Sequence, residues 1–187
     1  MKVVFLDRDG VINKYPGHGE YVKSWKEFHF LPRVKAALRL LQKEGHRVFI
    51  VSNQAGVSKG LYSKDDLKEI SRNLTAELKK SGVALSGIYY CTHAKEKRCG
   101  CRKPKTGMIK KAISNLRRQG LKFSASKSYF IGDTIKDIET GRNAGLKTIL
   151  VFSGREKARN KPDWQINPDY AARDLFEAVK KIIIKHK

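Results

Sequence analysis

The chain has 187 residues, of which 40% are hydrophobic, enough for a folded core and too many for a disordered chain. No apolar run approaches the roughly 20 residues that a membrane-spanning helix requires, and the N-terminus is a predicted strand that carries acids, so we expect a cytoplasmic protein without membrane attachment. Lys and Arg outnumber Asp and Glu by 40 to 18, which gives a formal net charge of +22 and fits a Lys-rich solvated surface scattered along the chain.

Short apolar segments rich in β-branched or aromatic residues alternate with segments of helical periodicity. The predicted strands are Val3–Asp7, Val48–Ser52, Ile88–Cys91, Tyr129–Asp133 and Thr148–Phe152. The predicted helices are Arg33–Glu44, Lys64–Lys80, Gly107–Gln119, Ile135–Ala144 and Asp174–Ile184. This alternation predicts an α/β fold with a mainly parallel sheet and helices on both faces.

Two segments do not fit the alternation. Residues 13–32 include Tyr15-Pro16-Gly17 and several aromatic residues, which favours a β-flap over the site. Residues 91–104 form a short polar loop that holds the cysteines. Neither segment is long enough for a separate cap domain, so we expect a single domain over residues 1–187 with an open site.

Polar side chains stand at the carboxyl ends of the predicted strands, where ligands collect in an open α/β sheet. The residues are Asp7 and Asp9 after the first strand, Ser52 and Asn53 after the second, Lys103 after the third, and Asp133 with Asp137 after the fourth. The first two acids point the same way, because side-chain direction in an extended segment repeats every second residue. The sequence therefore predicts four acids, a hydroxyl and a lysine at one edge of the sheet.

Carboxylates that converge on one point repel one another unless a cation joins them, and hard oxygen ligands favour Mg²⁺ completed by substrate phosphate. Ser52 and Lys103 would donate to the oxygens of a transferring phosphoryl group. One aspartate can attack phosphorus, and a second can protonate the leaving oxygen and then activate water. Each residue alone also fits a helix cap, a turn or a surface position; their order and placement indicate phosphoryl transfer.

The cysteines form a C-x-H…C-x-C pattern with a nearby histidine. Its members are Cys91, His93, Cys99 and Cys101. Three thiols and an imidazole make a closed tetrahedral set that suits structural zinc, and the alternative is a free-thiol cluster beside a surface histidine. A disulfide across one intervening residue would be strained. We expect zinc to stiffen the loop that delivers Arg102 and Lys103.

The chain resembles the haloacid dehalogenase (HAD) superfamily of phosphatases in four ordered motifs. These are Asp7-Arg8-Asp9-Gly10-Val11, Ser52-Asn53-Gln54, Lys103, and Gly132-Asp133-x-x-x-Asp137. The resemblance implies a Rossmann-like fold, a Mg²⁺ cofactor, and catalysis by Asp7 as nucleophile and Asp9 as general acid and base. It also implies Ser52 and Lys103 as phosphate ligands. The implied metal ligands are Asp7, Asp133 and the backbone carbonyl of Asp9, with Asp137 behind them holding metal waters or Lys103.

The segment Cys99–Met108, together with the Asp-Arg-Asp-Gly start, is similar to the capless zinc-loop subgroup of that superfamily over roughly the whole chain. In that subgroup the positions of Asn53 and Arg102 contact substrate. The resemblance implies hydrolysis of a small phosphate monoester. A heptose bisphosphate of lipopolysaccharide or surface-polysaccharide synthesis is the first expectation, and histidinol phosphate is the alternative.

Two further readings stay open at this level. A nucleic-acid 3′-phosphatase would agree with the positive charge, although the loop sequence argues against it and nucleic acid is not the favoured partner. A zinc-bearing binding module with a dead site would be signalled by loss of the first aspartate, and Asp7 is present. The chain's small size and lack of an obvious interface stripe predict a monomer.

Overall fold

The computed structural model describes residues 1–185 and contains a six-stranded parallel sheet in the order β3-β2-β1-β4-β5-β6. The strands are β1 Val3–Leu6, β2 Arg47–Asn53, β3 Gly87–Cys91, β4 Tyr129–Gly132, β5 Lys147–Val151 and β6 Tyr170–Ala172. The helices are α1 Val34–Lys43, α2 Lys64–Lys80, α3 Gly107–Arg118, α4 Ile135–Asn143 and α5 Leu175–Glu177. The predicted parallel α/β fold is confirmed, and its strand order is that of Rossmann-type sheets.

Both faces of the sheet are covered, which explains why its central strands read as continuous apolar runs. All four residues of β1 are buried, and alternate side chains enter different cores. Val4 and Leu6 join the core formed with α1 and α2, whereas Val3 and Phe5 join the core formed with α3. Among the described residues, no helix is long and apolar enough to cross a membrane.

Residues 13–32 do not form the expected β-flap. Within the described chain the segment contains a 3-10 turn at Trp25–Glu27 and two isolated bridges, which pair Asn13 with Asp9 and with Phe30. The reason lies in its tip, where Pro16 has no N–H to donate and two glycines take positive φ angles, so a strand ladder cannot continue. The segment nevertheless lies over the carboxyl edge of the sheet, as predicted.

The C-terminal part of the chain differs from the prediction in two ways. Strand β6 was not anticipated, and the expected helix Asp174–Ile184 is α-helical only over Leu175–Glu177 before continuing as a π-helix over Ala178–Ile183. The last two residues of the expected domain, His186 and Lys187, lie outside the described residues.

Strand β1 lies between β2 and β4, so the sequence order of the strands reverses beside it. A parallel sheet opens a crevice at the carboxyl ends of the strands on either side of such a point. Asp7 follows β1 there, and its N–H donates to Ile131 O in β4 at 3.0 Å. Asp133 follows β4, so the fold brings the aspartates after the first predicted strand next to those after the fourth.

Candidate active site

A cleft of about 200 Å³ opens at this edge of the sheet. Its lining includes seven residues singled out from the sequence: Asp7, Asp9, Ser52, Asn53, Arg102, Lys103 and Asp133. The segment 13–32 supplies one wall through Tyr15, Pro16, Glu20 and Tyr21. Asp137 lies beneath the cleft and is fully buried. The structure therefore gathers the whole predicted set, with Asp137 behind the others.

Asp7 is held from several sides. Its Oδ1 accepts the Arg8 N–H at 2.7 Å, and its Oδ2 lies 2.9 Å from Lys103 Nζ. Burial raises the pKa of Asp7 to about 6; Lys103 and a hydrogen bond from Ser52 oppose this, and the Asp137 charge adds to it. The carboxylate is thus fixed in position and available for reaction or metal binding.

Lys103 connects the nucleophile candidate to Asp137. Its Nζ lies 2.6 Å from Asp137 Oδ1, and only 3% of the lysine side chain is exposed. Burial favours the neutral amine, but the charges of Asp137 and Asp7 outweigh it and raise the pKa of Lys103 above its usual value. The other oxygen of Asp137 accepts from Thr134 N and Oγ1, which closes the capping box of α4. Asp137 therefore fixes the lysine from the start of a helix.

Asp133 completes a cluster of carboxylates. Oxygens of Asp7, Asp133 and Asp137 all lie within 4.8 Å of one another. Burial, with the charges of Asp7 and Asp137, raises the pKa of Asp133 well above its ordinary value. Crowded, desolvated carboxylates with too little positive charge nearby fit a hard divalent cation such as Mg²⁺.

Two glycines make room for Asp133. A Cβ on Gly10 or Gly154 would collide with Asp133 Oδ2, and Gly10 also has a φ of +81°. The same oxygen accepts the Arg155 N–H at 2.8 Å. The main chain therefore wraps closely around this carboxylate, which explains the glycine that follows Asp9 in the sequence.

Three residues donate hydrogen bonds to the Asp9 carboxylate. Its Oδ1 lies 2.9 Å from Arg8 Nη2 and 2.8 Å from Asn13 Nδ2, and its Oδ2 accepts from Gln54 Nε2 at 2.9 Å. Tyr62 OH donates to Gln54 Oε1 at 2.6 Å and thereby sets the orientation of that amide. The carboxylate is placed at the cleft by a network that reaches into the protein interior.

The two predicted substrate contacts have structural partners. Asn53 Oδ1 accepts the Lys103 N–H at 3.0 Å, and Asn53 Nδ2 donates to Lys103 O at 3.3 Å. Arg102 Nη1 donates to His93 O at 3.2 Å. Asn53 thus fastens the loop to the end of β2, while both side chains also line the cleft.

The predicted zinc ligands converge. The Sγ atom of Cys101 lies 3.3 Å from that of Cys91, 3.4 Å from that of Cys99 and 3.2 Å from His93 Nδ1. A tetrahedral site with Zn–S bonds of ~2.3 Å places its sulfurs ~3.8 Å apart. The three cysteines are not disulfide-bonded. These spacings and this donor set fit a zinc ion.

Sequence reasoning missed several residues of the site. Arg8, Gln54, Lys136 and Arg155 either line the cleft or hold Asp9, and none was assigned a role. Arg8 carried a readable signal, because a charged residue between two acids at the end of a buried strand must find a partner. Arg155 lies in the loop after β5 and Lys136 in the first turn of α4, and neither position carries a distinguishing pattern.

A six-stranded parallel sheet that presents an Asp-x-Asp pair, a serine, a buried lysine and a further aspartate at one edge defines a HAD-type hydrolase. Residues 100–178 match the family model described as HAD-hydrolase-like. A D-glycero-D-manno-heptose-1,7-bisphosphate 7-phosphatase of Chlorobaculum tepidum is 37% identical over 190 residues, which covers 98% of this chain and 94% of the relative. The chain therefore belongs to the HAD family of phosphatases.

Two other proteins agree with this assignment. A D-glycero-beta-D-manno-heptose-1,7-bisphosphate 7-phosphatase of Haemophilus ducreyi is 38% identical over 162 residues, covering 82% of this chain and 85% of the relative. The crystal structure of a D,D-heptose 1,7-bisphosphate phosphatase from B. bronchiseptica, complexed with magnesium and phosphate, superposes with a TM-score of 0.85 at 27% identity. That match covers 99% of each chain.

Proposed function

We propose that this protein is a Mg²⁺-dependent phosphatase that removes the 7-phosphate of a D-glycero-D-manno-heptose 1,7-bisphosphate. Relatives of that name match nearly the whole chain. The observation that carries the proposal is the position of Lys103 Nζ, 2.9 Å from Asp7 in a cleft that Ser52 also lines. A buried cation and a hydroxyl beside a carboxylate nucleophile fit a transferring phosphoryl group.

Asp7, Asp133 and the backbone carbonyl of Asp9 would hold Mg²⁺, and Asp137 stays with Lys103. When bound, the ion would offset the repulsion among the carboxylates and the charge of the phosphate. The Asp9 side chain is already engaged by Arg8, Asn13 and Gln54, which agrees with a role for its carbonyl, and not its carboxylate, toward the metal.

The reaction has two halves. An Asp7 oxygen attacks phosphorus, the bond between phosphorus and the sugar oxygen breaks, and Asp9 gives its proton to that departing oxygen. Asp9 then takes a proton from a water molecule that attacks the aspartyl phosphate, so that inorganic phosphate leaves and the Asp7 carboxylate is restored. Lys103 and Ser52 donate to the phosphoryl oxygens throughout.

The mouth of the cleft favours a doubly phosphorylated substrate. Apart from the aspartates, the cleft is lined by three cationic side chains that reach solvent, Arg102, Lys136 and Arg155, and by the acid Glu20 from the flanking segment. A second phosphate would be attracted there, whereas the amine of histidinol phosphate would meet like charge. This arrangement supports the bisphosphate over the alternative substrate.

We also propose that zinc binds as a structural ion to four ligands, Cys91, His93, Cys99 and Cys101. All four would coordinate it, so no position remains for chemistry. The ion would fix the positions of Arg102 and Lys103 in the cleft, because these residues directly follow Cys101.

A phosphate-release assay with Mg²⁺ tests the function. The substrates are the heptose bisphosphate, histidinol phosphate and a 3′-phosphorylated oligonucleotide. We expect the highest kcat/KM on the heptose bisphosphate. A higher value on histidinol phosphate or on the oligonucleotide would overturn the proposed substrate, and no release from any ester would overturn the proposed activity.

A further inference from the structure

Arg8 has no role in the mechanism above, yet it is fully buried. Burying a guanidinium costs several kcal/mol unless a carboxylate and hydrogen bonds compensate for it. Here the compensating carboxylate is that of Asp9, the proposed general acid, of which 19% remains exposed. A buried cation is therefore paired with the one catalytic group that must transfer protons.

The pairing fixes the Asp9 carboxylate in orientation as well as position. Arg8 Nε and Nη2 lie 3.2 and 2.9 Å from Oδ1, and Nη2 lies 3.1 Å from Oδ2. A planar guanidinium that contacts both oxygens restricts rotation of the carboxylate. Asn13 and Gln54 each add one donor, to different oxygens. Of these three residues only Arg8 touches both oxygens.

Arg8 is held mainly through its main chain, since its Nη1 has no hydrogen-bond partner among the described residues. Its guanidinium lies 5.8 Å from the centre of the Tyr90 ring, and its carbonyl accepts from Ile12 N at 2.8 Å. Its own N–H donates to Asp7 Oδ1 at 2.7 Å. One residue thus contacts the proposed nucleophile through its main chain and the proposed acid through its side chain. The relative placement of the two catalytic carboxylates depends on it.

We propose that Arg8 is a positioning residue that places the Asp9 carboxylate where it can protonate the departing sugar oxygen. The inference rests on the proposed function. As the bond from Asp7 to phosphorus forms and the bond to the sugar oxygen breaks, the proton of Asp9 passes to that oxygen. A sugar alkoxide needs the proton, whereas the aryl oxide of 4-nitrophenyl phosphate leaves without one. Misplacement of Asp9 therefore slows hydrolysis of the sugar ester more than hydrolysis of the aryl ester.

The experiment compares Arg8→Gln and Arg8→Lys with the wild type on heptose bisphosphate and on 4-nitrophenyl phosphate. The measured quantity is kcat/KM, which covers formation of the aspartyl phosphate and excludes its hydrolysis. We expect Arg8→Gln to lower kcat/KM on the sugar ester by about 100-fold and on the aryl ester by less than about 5-fold. Arg8→Lys, which keeps the charge but loses the planar guanidinium, should lose about 10-fold on the sugar ester.

Arg33→Gln is the matched control. Arg33 also pairs with an aspartate, Asp174, and lies over an aromatic ring, that of Phe176, but it does not line the cleft. We expect this variant to change neither kcat/KM by more than about 2-fold.

The ratio of the two kcat/KM values does not depend on how much of a variant is folded. Equal losses on both esters, or no loss in Arg8→Gln, would overturn the role of Arg8 and leave the proposed function standing. Absence of hydrolysis of both esters by the wild type would instead overturn the proposed function, and this inference with it.

Discussion

The carboxylates and the cations of this site are held in different ways. Asp7 and Asp133 directly follow paired neighbouring strands, and their positions follow from main-chain hydrogen bonds such as that from Asp7 N to Ile131 O. Arg102 and Lys103 lie on a loop whose shape depends on the Cys/His cluster and on Asn53, 50 positions away in sequence from Lys103. The comparison shows that strand pairing places the backbones of Asp7 and Asp133, whereas Arg102 and Lys103 lie on a loop that needs its own set of contacts.

The two regions meet at one ion pair. Lys103 Nζ lies between Asp7 and Asp137, so the loop also supplies the positive charge that the buried acids require. A substitution of an acid should therefore affect the phosphoryl-transfer step itself, and a substitution in the loop should affect the position of Arg102 and Lys103. The predictions below separate these effects, starting with the largest.

Asp7→Asn removes the proposed nucleophile and should lower kcat by about 10⁴-fold or more. The same change should not lower the melting temperature at pH 7 in the absence of Mg²⁺, because burial disfavours the ionised form of Asp7 and raises its pKa to about 6. Steady-state kinetics and a thermal melt test both statements. Substantial residual turnover in metal-saturated Asp7→Asn would show that another group attacks phosphorus.

Lys103→Met should reduce both activity and stability. It leaves Asp7 and Asp137 without their shared cation, so we expect a loss of about 3 kcal/mol in the free energy of unfolding and about 10³-fold in kcat/KM. Urea denaturation and kinetics measure the two quantities.

The control for Lys103→Met is Lys105→Met, an exposed lysine two residues along the same loop whose Nζ contacts Arg98 O. It should leave kcat/KM within about 2-fold. Similar losses in the two variants would show that the loop matters as a whole and that the buried ion pair does not.

Cys101→Ser should lower activity by displacing Arg102 and Lys103, and not by removing a group that reacts. Loss of one thiolate should release the proposed zinc and lower kcat/KM by about 10- to 100-fold, because the loop then loses its metal ligands and keeps only contacts such as those of Asn53 with the Lys103 main chain. Metal analysis and kinetics on the same preparation test this. A variant that has lost zinc but retains full turnover and substrate affinity would show that the cluster does not position Lys103.

Glu177 does not line the cleft, so Glu177→Gln should change stability and leave kcat/KM unaltered. Hydrogen bonds from Lys181 and Arg173 lower the pKa of Glu177 from 4.5 to about 2. A lowered carboxyl pKa stabilises the fold above pH 4.5, and this contribution is lost as the pH falls toward 2. The variant should lose about 1 kcal/mol at pH 7, and the difference should be smaller at pH 3. An equal difference at both pH values would contradict the ionic origin.

The sequence predicted the aspartates of the site better than the residues that hold these aspartates in place. The acids were found because each follows an apolar strand, and parallel strands end at one edge. The buried guanidinium of Arg8 lies near Tyr90 of β3, a strand distant in sequence, so the sequence pattern could not place it. Strand β6 was missed because it has three residues and only Ala172 is buried.

The C-terminal helix shows a different limit. The periodicity of Asp174–Ile184 predicts one α-helix, and Asp174 does cap it by accepting the Glu177 N–H at 2.8 Å. The chain then changes to π-helical hydrogen bonding over Ala178–Ile183, and four of these six residues are buried. Apolar spacing does not distinguish these two helical forms, because both bury a continuous face.

The most direct test of the account is a crystal structure of the protein with Mg²⁺ and fluoroberyllate, which mimics a phosphoryl group on a carboxylate. We predict beryllium bonded to an Asp7 oxygen, with its fluorides within hydrogen-bond distance of Lys103 Nζ and Ser52 Oγ. An adduct on another side chain, or a fluoride complex without any bond to Asp7, would contradict the mechanism.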